Sequence, residues 1–383
     1  LRLGAWDYLP KPISLDYLSE KISSLLRIHE ARNLAALGTA EAKIVGDMSI
    51  DQDALLVSWK NHPINLSGTE FRMLAKLVRV PGHAVSYDTL MNATMQSLVT
   101  NNTINTHMRN IRKKFETIDP LIIIEGKGMR VWDQNGKEHI DAVSGGVWTV
   151  NVGYGRESIA NAVRDQLIKL NYFAGSAGSI PGALFAEKLI SKMPGLSRVY
   201  YTNSGSEANE KAFKMVRQIA HKRYGGKKHK ILYRDRDYHG TTIACLSAGG
   251  QEERNAHYGP YTPGFVKVPH CLEYRKQWDV ENYGERAADA IEEVILREGP
   301  DTVGAICLEP VTAGGGVITP PEGYWQRVQE ICRKYDILLH IDEVVCGVGR
   351  TGTWFGYQHY GVEPDMVTMA KGVASGYAAI ACL

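Results

Sequence analysis

Hydrophobic residues recur with a helical period at the start of the chain. The first predicted helix lies within residues 1–30 and carries its apolar residues on one face: Leu15, Leu18, Ile22, Leu25 and Leu26. Residues 31–43 are alanine-rich and weakly patterned, which is typical of a linker. Short strand-like runs occupy residues 44–66. This order predicts a small α+β domain after the linker.

Capping signals place the next helix. Ser67 and Glu70 have the spacing of a capping box, in which the serine side chain accepts from the Glu70 amide and the glutamate reaches back. Pro81-Gly82 ends this helix. Two more helices are predicted over about residues 87–95 and 101–115.

The helix over residues 101–115 has two contrasting faces. Its predicted buried stripe consists of Ile104, Met108, Ile111 and Phe115. The opposite face carries polar residues and cations: Asn102, Thr103, Thr106, Arg109, Asn110 and Lys113. Such a face suits the major groove of DNA, where polar groups reach base edges and cations meet phosphates. The alternative is a solvated helix whose cations complement its dipole.

The pattern changes beyond residue 118. Continuous apolar runs, such as residues 303–308 and 337–341, alternate there with long helical patterns. Such runs indicate strands of a mostly parallel sheet that is covered on both faces. The sequence therefore predicts an α/β domain over residues 118–383, preceded by the small α+β domain.

Composition narrows the class of protein. A chain of 383 residues with 44% hydrophobic and 22% charged residues is an ordinary globular protein of more than one domain. The net charge of +2 favours no particular partner. The six cysteines form no CxxC pair and indicate buried thiols in a reducing compartment, hence a cytoplasmic protein without a metal site. No apolar run is long enough for a membrane span, and no signal peptide is visible.

Two ionisable residues follow apolar strands. Asp342 comes directly after residues 337–341, at the strand end where parallel sheets bind ligands. Lys371 ends the apolar run that starts at Met366, and burial there would favour a reactive free amine. The alternatives are an ordinary capping or ion-paired aspartate and a surface lysine that extends its amine to water.

Two further segments complete a possible cofactor site. Residues 202–209 follow a strand and open a helix, so their amides and the helix dipole suit a phosphate, although an ordinary helix cap would look similar. Tyr238 follows another strand and could stack on a ring or simply pack. A lysine, an acid, an anion cradle and an aromatic cover are what pyridoxal phosphate (PLP) chemistry requires.

Together these segments resemble the class III (ω-) aminotransferases of PLP fold type I. The resemblance covers about residues 118–383 and is nearest to the ω-amine:pyruvate and taurine:pyruvate aminotransferases. Its motifs are residues 143–148, 202–209, 237–240, 308–311, 341–352, 370–372 and 376–379. It implies a PLP transferase large domain with a mostly parallel sheet, working as a homodimer.

The resemblance also implies a role for each matching residue. Lys371 holds PLP as a Schiff base and moves the proton, while Asp342 pairs with the pyridine nitrogen. The other implied cofactor-binding residues are Gly205 and Ser206 at the phosphate, Tyr238 and Val344 on the two ring faces, His239, and Glu309 near the ring oxygen. Trp148 is implied to line the substrate pocket.

The N-terminal third resembles a different family, the OmpR-type response regulators. Residues 44–117 match their winged-helix domain through residues 66–71, Pro81-Gly82 and 102–115, with a wing that extends to 131 and includes Lys127. This resemblance implies that residues 101–115 recognise DNA. Residues 1–30 resemble the last strand and helix of a receiver domain, with its characteristic Lys11-Pro12. The phospho-accepting pocket would lie upstream, so we expect no phosphorylation control.

Both resemblances are incomplete. Class III chains continue beyond the lysine into a small domain with a carboxylate-binding arginine, and a threonine from the other subunit completes their phosphate site. Both ends of this chain look cut, and residues 114–120 look like a seam, as in a chimeric or partial gene. From this we expect weak PLP binding and slow or no turnover.

Two functions therefore compete. The first is PLP-dependent transfer of an amino group from an amine or ω-amino acid to pyruvate or another 2-oxo acid through Lys371. The second is transcriptional regulation through DNA binding by residues 101–115, with the aminotransferase part inert or fused artefactually. Known regulators that fuse a winged helix to an aminotransferase domain combine other types of both parts, which disfavours a PLP-sensing regulator.

Overall fold

The computed structural model describes residues 43–95, 99–173, 177–274 and 276–383. The chain divides into two compact units, Leu1–Ile123 and Ile124–Leu383. The predicted receiver remnant and nearly all of the predicted linker lie outside the described residues. No helix in the described ranges is both long enough and apolar enough to cross a membrane.

Within residues 43–95 and 99–123, the first unit combines a small antiparallel sheet with three helices. The strands pair in chain order: β1 (Lys43–Val45), β2 (Met48–Asp51), β3 (Leu56–Trp59) and β4 (His62–Pro63). The helices are α1 (Gly68–Leu77), α2 (Tyr87–Thr94) and α3 (Asn101–Glu116). This is the predicted α+β arrangement.

The predicted capping box of α1 is confirmed. The Ser67 hydroxyl accepts from the Glu70 amide at 3.3 Å, and the Glu70 carboxylate accepts from the Ser67 amide at 2.7 Å. Glu70 also pairs with Lys114 of α3 at 2.6 Å. One buried glutamate therefore both starts α1 and links it to α3.

Helix α3 presents the two faces that its sequence predicts. Ile104 and Ile111 are buried in the core of the unit, and Met108 and Phe115 pack against that core. On the opposite face Thr103 is half-buried. The other five residues of that face are exposed: Asn102, Thr106, Arg109, Asn110 and Lys113. Thr100 caps the helix by accepting from the Thr103 amide at 3.3 Å.

The second unit begins with a three-stranded sheet in the order β5 (Ile123–Lys127), β6 (Arg130–Asp133), β7 (Glu138–Ile140). Gly128 and Tyr154 exchange both backbone hydrogen bonds, at 3.0 and 2.8 Å. The segment assigned by sequence to a DNA-binding wing thus takes part in strand pairing within this unit. Lys127 is exposed there, and its role in DNA binding stays a prediction.

The main sheet of the second unit is parallel, as predicted. Its strands are β9 (Lys230–Arg234), β10 (Phe265–Val268), β11 (Val303–Leu308), β12 (Leu338–Asp342) and β13 (Met366–Thr368). They lie in the order β10-β9-β11-β12-β13. Beyond β13, Met369 bridges to β14 (Ala381–Cys382), which pairs antiparallel with β8 (Tyr201–Thr202).

Helices cover both faces of this sheet. The helices described in this unit are α4 (Glu157–Lys169), α5 (Ile180–Ile190), α6 (Gly205–Tyr224), α7 (Ile243–Ser247), α8 (Glu252–Asn255), α9 (Tyr283–Glu298) and α10 (Tyr324–Tyr335). Successive residues of β11 point to opposite faces. Ala305 and Cys307 pack with α6, while Ile306 and Leu308 pack with α9 and α10. Two-sided burial explains the continuous apolar run, because each buried Ile or Leu side chain contributes about 1.5–3 kcal/mol.

Candidate active site

The carboxyl ends of four parallel strands bring the predicted site residues to one edge of the sheet. Tyr238 follows β9, Glu309 follows β11, Asp342 ends β12, and Lys371 follows β13. A cleft of about 300 Å³ opens at this edge. Its lining comprises Thr149, Asn203, Ser204, Gly205, Ser206, Tyr238, His239, Gly240, Asp342, Val344, Ala370, Lys371, Gly376, Ala378, Ala379 and Ile380.

Asp342 is a buried carboxylate held by three donors. Its Oδ2 accepts from Asn209 Nδ2 at 2.8 Å and pairs with His239 Nδ1 at 2.7 Å, and its Oδ1 accepts from the Val344 amide at 3.0 Å. Burial alone would raise the pKa of Asp342, but the hydrogen bond and charge of His239 bring it below its ordinary value. The geometry therefore keeps a negative charge facing the cleft.

His239 completes this pair from a fully buried position. Burial disfavours its charged form, yet Cys307 and the Asp342 carboxylate raise its pKa well above the ordinary value. We attribute the rise to Asp342, because burial also raises the pKa of the Cys307 thiol and keeps it neutral. His239 Nδ1 therefore carries a hydrogen and donates it to the Asp342 carboxylate.

Lys371 places its amine in the same cleft. Burial lowers the pKa of Lys371; the carboxylates of Asp342 and Glu309 oppose this, and the charges of Arg350 and Arg254 reinforce it. More free amine is present than on a surface lysine. The backbone of Lys371 has φ 42°, in the left-handed region that side chains rarely adopt. Such strain is characteristic of functional positions.

The start of α6 forms a cradle for an anion. The first amides of a helix have no partner within the helix, and the dipole is positive there. A Cβ at Gly205 would lie 2.9 Å from Val344 Cγ2, so only glycine fits there. The Ser206 hydroxyl accepts from the Thr241 amide at 3.1 Å, and Gly240, with φ 140°, has no room for a Cβ beside it.

Glu309 lies behind the cleft and fixes the loop that carries Tyr238. Its carboxylate accepts from the amides of Tyr238 at 2.8 Å and Ala313 at 3.0 Å. Burial, followed by the charges of Asp237 and Asp342, raises the pKa of Glu309 to about 8.

A buried ion pair supports this loop from beneath. Arg234 Nη2 donates to Asp237 Oδ1 at 3.0 Å and to the Glu309 carbonyl at 2.7 Å. Asp237 Oδ2 in turn accepts from the Glu309 amide at 3.0 Å. The two loops that follow β9 and β11 are thereby held in register.

The structure brings most of the predicted site residues together. Seven of the eight predicted cofactor-binding residues line the cleft; the eighth, Glu309, lies behind it. Trp148 is absent from the described lining. Its carbonyl accepts from Arg350 at 2.8 Å, and the following residue, Thr149, lines the cleft instead.

Sequence reasoning missed several supporting residues. Asn209 lies within one of the motifs, residues 202–209. Its position on the buried face of α6 could have indicated that its amide has hydrogen-bond partners inside the protein. Thr368 ends β13 as a polar residue in an apolar run. Arg254 lies in the short polar helix α8, which carries no such signal, yet its guanidinium sits 4.9 Å from the centre of the Tyr238 ring.

Two family models match the chain. The model "Aminotransferase class-III" matches residues 112–383. The model "Transcriptional regulatory protein, C terminal" matches residues 61–130, which supports the predicted OmpR-type domain. The two matches overlap in the segment that contains β5 and the predicted wing.

Curated relatives match the same two-thirds of the chain. The hypotaurine/taurine–pyruvate aminotransferase of Paracoccus denitrificans is 80% identical over 276 residues, which cover 72% of this chain. The taurine–pyruvate aminotransferase of Rhodobacter capsulatus is 69% identical over 276 residues, again 72% of this chain. The matched part spans 60% of the length of each of these relatives.

Solved structures agree with the fold. An (S)-enantioselective ω-transaminase from Thermomicrobium roseum is 38% identical with a TM-score of 0.66, over 75% of this chain and 62% of its own. The ω-transaminase from Pseudomonas jessenii in complex with PMP is 36% identical with a TM-score of 0.67, over 75% and 63%. Class III aminotransferases are PLP-dependent, which agrees with the predicted cofactor. The chain belongs to the class-III aminotransferase family.

Proposed function

We propose that this chain transfers an amino group from an amine to a 2-oxo acid, with PLP held by Lys371. The observation that carries the proposal is the convergence of the Lys371 amine, the Asp342 carboxylate and the start of α6 on one cleft. A lysine in a cleft is common in proteins and would not by itself indicate PLP. Here the amine, the carboxylate and the helix start match, in that order, the aldehyde, the pyridine nitrogen and the phosphate of PLP.

The residues present fit this cofactor. Lys371 would attach to it covalently and carry the proton between the substrate and the cofactor. Asp342 would hold the pyridine nitrogen protonated; its Oδ1 has one protein donor where Oδ2 has two, so Oδ1 retains acceptor capacity. The amides of Gly205 and Ser206 would bind the phosphate. When bound, PLP supplies the electron sink for deprotonation of the amine carbon.

Tyr238 and Val344 would cover the two faces of the ring. Both side chains line the cleft. They would exclude water from the ring and fix its plane, so that the Lys371 amine meets the reacting carbon from one side. By resemblance to the family, we also propose that the active form is a homodimer.

The proposed amino donor is an amine with an anionic tail, such as taurine or hypotaurine, and the proposed acceptor is pyruvate. The names of the two curated relatives support this choice. Arg254 would bind the anionic tail of the donor. Its guanidinium lies against Tyr238, and its charge acts on the pKa of Lys371, so it is close to the proposed position of the substrate. In the described part of the chain, its one hydrogen bond to a side chain is from Nε to Gln251, and no carboxylate pairs with it.

Replacing Arg254 with alanine is expected to raise KM for taurine about 10-fold or more, because a charge-assisted bidentate contact is lost. KM for an amine of similar length without an anionic tail should change less than about twofold by the same reasoning. Arg254→Lys should fall between the two, since it keeps the charge but not the fork. Equal losses for both amines would contradict this assignment.

The overall proposal is tested by adding PLP to the purified chain and recording its visible absorption. We expect a band that disappears when taurine or hypotaurine is added and returns when pyruvate is added. This half-reaction measurement follows chemistry at the cofactor without requiring fast turnover. Absence of the band at saturating PLP would contradict the proposal.

A second function, DNA binding by the first unit, is favoured by the match to the regulatory family model and by the exposed polar face of α3. Arg109→Ala and Lys113→Ala are each expected to weaken binding to duplex DNA and to reduce its salt dependence by about one ion per lost phosphate contact. Arg79→Ala, exposed outside α3, is the matched control. Unchanged binding in both α3 variants would exclude this helix as the DNA contact.

A further inference from the structure

A buried amide lies directly behind the Asp342 carboxylate. Asn209 is fully buried on the inner face of α6, and its Nδ2 donates to Asp342 Oδ2 and to the His239 carbonyl, both at 2.8 Å. A reversed amide would point its oxygen at a carboxylate and a carbonyl. The electrostatics of the site therefore require the orientation in which the –NH2 group faces Asp342.

Thr368 meets the other end of this amide. Its hydroxyl donates to Asn209 Oδ1 at 2.9 Å. The same hydroxyl lies 3.2 Å from His340 Nε2. Because the threonine proton is committed to Asn209, its oxygen must accept from the histidine, so Nε2 carries the hydrogen.

His340 is the last member of this series of hydrogen bonds and acts as a neutral donor. Burial lowers its pKa to about 4, so it does not titrate near neutral pH. Its Nδ1 has no hydrogen-bond partner among the described atoms, which fits an unprotonated ring nitrogen in an apolar setting. Phe213 packs edge-on against the ring at 6.1 Å between centroids. The result is a fixed sequence of hydrogen bonds from β12 through β13 and α6 back to Asp342.

We propose that Thr368 and Asn209 are positioning residues for Asp342. The threonine hydroxyl sets the direction of the asparagine amide, and the amide occupies Oδ2 together with His239. This leaves the free acceptor direction on Oδ1 and stabilises the ionised carboxylate. The role of Asp342 toward PLP rests on the proposed function, whereas the hold on its carboxylate does not.

The test compares Thr368→Val with Thr368→Ser. Valine keeps the shape and removes the hydroxyl, so Asn209 Oδ1 loses its donor and the amide loses its fixed direction. In the protein without PLP, a ¹³C NMR titration of the Asp342 carboxyl carbon should show a higher pKa in Thr368→Val than in wild type. Thr368→Ser should match wild type, because it restores the hydroxyl.

With PLP and substrates present, Thr368→Val should lower kcat about 10- to 100-fold, with KM for either substrate changed less than about twofold. Asn209→Ala should shift the Asp342 titration in the same direction. An unshifted titration in a Thr368→Val protein whose circular dichroism matches wild type would overturn the proposal. A shifted titration in a chain that shows no PLP chemistry would instead uphold this inference and reject the proposed function.

Discussion

Lys371→Ala is expected to abolish both the visible PLP band and transamination, with turnover reduced by at least about 10³-fold. The variant removes the amine that attaches the cofactor and carries the proton. Substitution by alanine should not unfold the chain, because the residue lies at the cleft and not in a core cluster. Spectra recorded at saturating PLP and a coupled assay of pyruvate consumption measure the two effects.

Two companion variants make this result specific. Lys371→Arg keeps a positive charge, but a guanidinium stays protonated and cannot attach the aldehyde, so it should behave like alanine. Lys188→Ala removes an exposed lysine of α5 and should retain the band and the activity. A Lys371→Ala protein with the wild-type band would show that another amine holds the cofactor.

Asp342→Asn should have the second largest effect. Turnover is expected to fall about 10²- to 10³-fold, while PLP remains attached to Lys371. The amide nearly preserves size but cannot hold the pyridine nitrogen protonated, so the electron sink weakens. Steady-state kinetics measure the fall in turnover, and the absorption spectrum shows whether PLP remains attached. Asp301→Asn, at an exposed position, is the matched control.

The same variant has a consequence for His239 that needs no cofactor. Its pKa is raised in the folded protein, and the Asp342 carboxylate at 2.7 Å is the cause that we assign. Removing that charge should lower the pKa of His239, because burial then acts without opposition. An NMR titration of the histidine rings measures this. An unchanged pKa would show that Asp342 is not its ionic partner.

Local signals in the sequence predict much of the site. Asp342 and Lys371 each end an apolar strand, and parallel topology gathers such ends at one edge. The start of α6 is visible because small polar residues follow a strand and precede a long helix. The positions of these residues can be predicted because each depends on a few neighbouring residues and on one rule of sheet topology.

The supporting contacts are not predictable in this way. Asn209 meets Asp342 across 133 positions of sequence, and it meets Thr368 across 159. Which polar residue in a buried element finds which partner depends on the register of strands and the rotation of α6. No periodicity in the chain encodes that register. The charged groups of the site can therefore be predicted from the sequence, whereas the buried residues that hydrogen-bond to them are found only in the structure.

The N-terminal third shows the same difference between features that depend on neighbouring residues and features that depend on distant ones. Ser67 and Glu70 are three residues apart, and their capping box follows from spacing alone. Lys127 lies in the segment that the resemblance assigns to a wing, and the adjacent Gly128 pairs with Tyr154 in the second unit. Strand pairing depends on a partner that lies outside the motif.

All of the proposed chemistry depends on the attachment of PLP to Lys371. The most direct test is reduction of the PLP-treated protein with borohydride, followed by mass spectrometry of its peptides. We expect one pyridoxyl-phosphate modification, on Lys371, whose yield rises with PLP concentration and becomes near-stoichiometric only at saturating PLP. Modification spread over exposed lysines, or a Lys371 peptide that stays unmodified at saturating PLP, would contradict it.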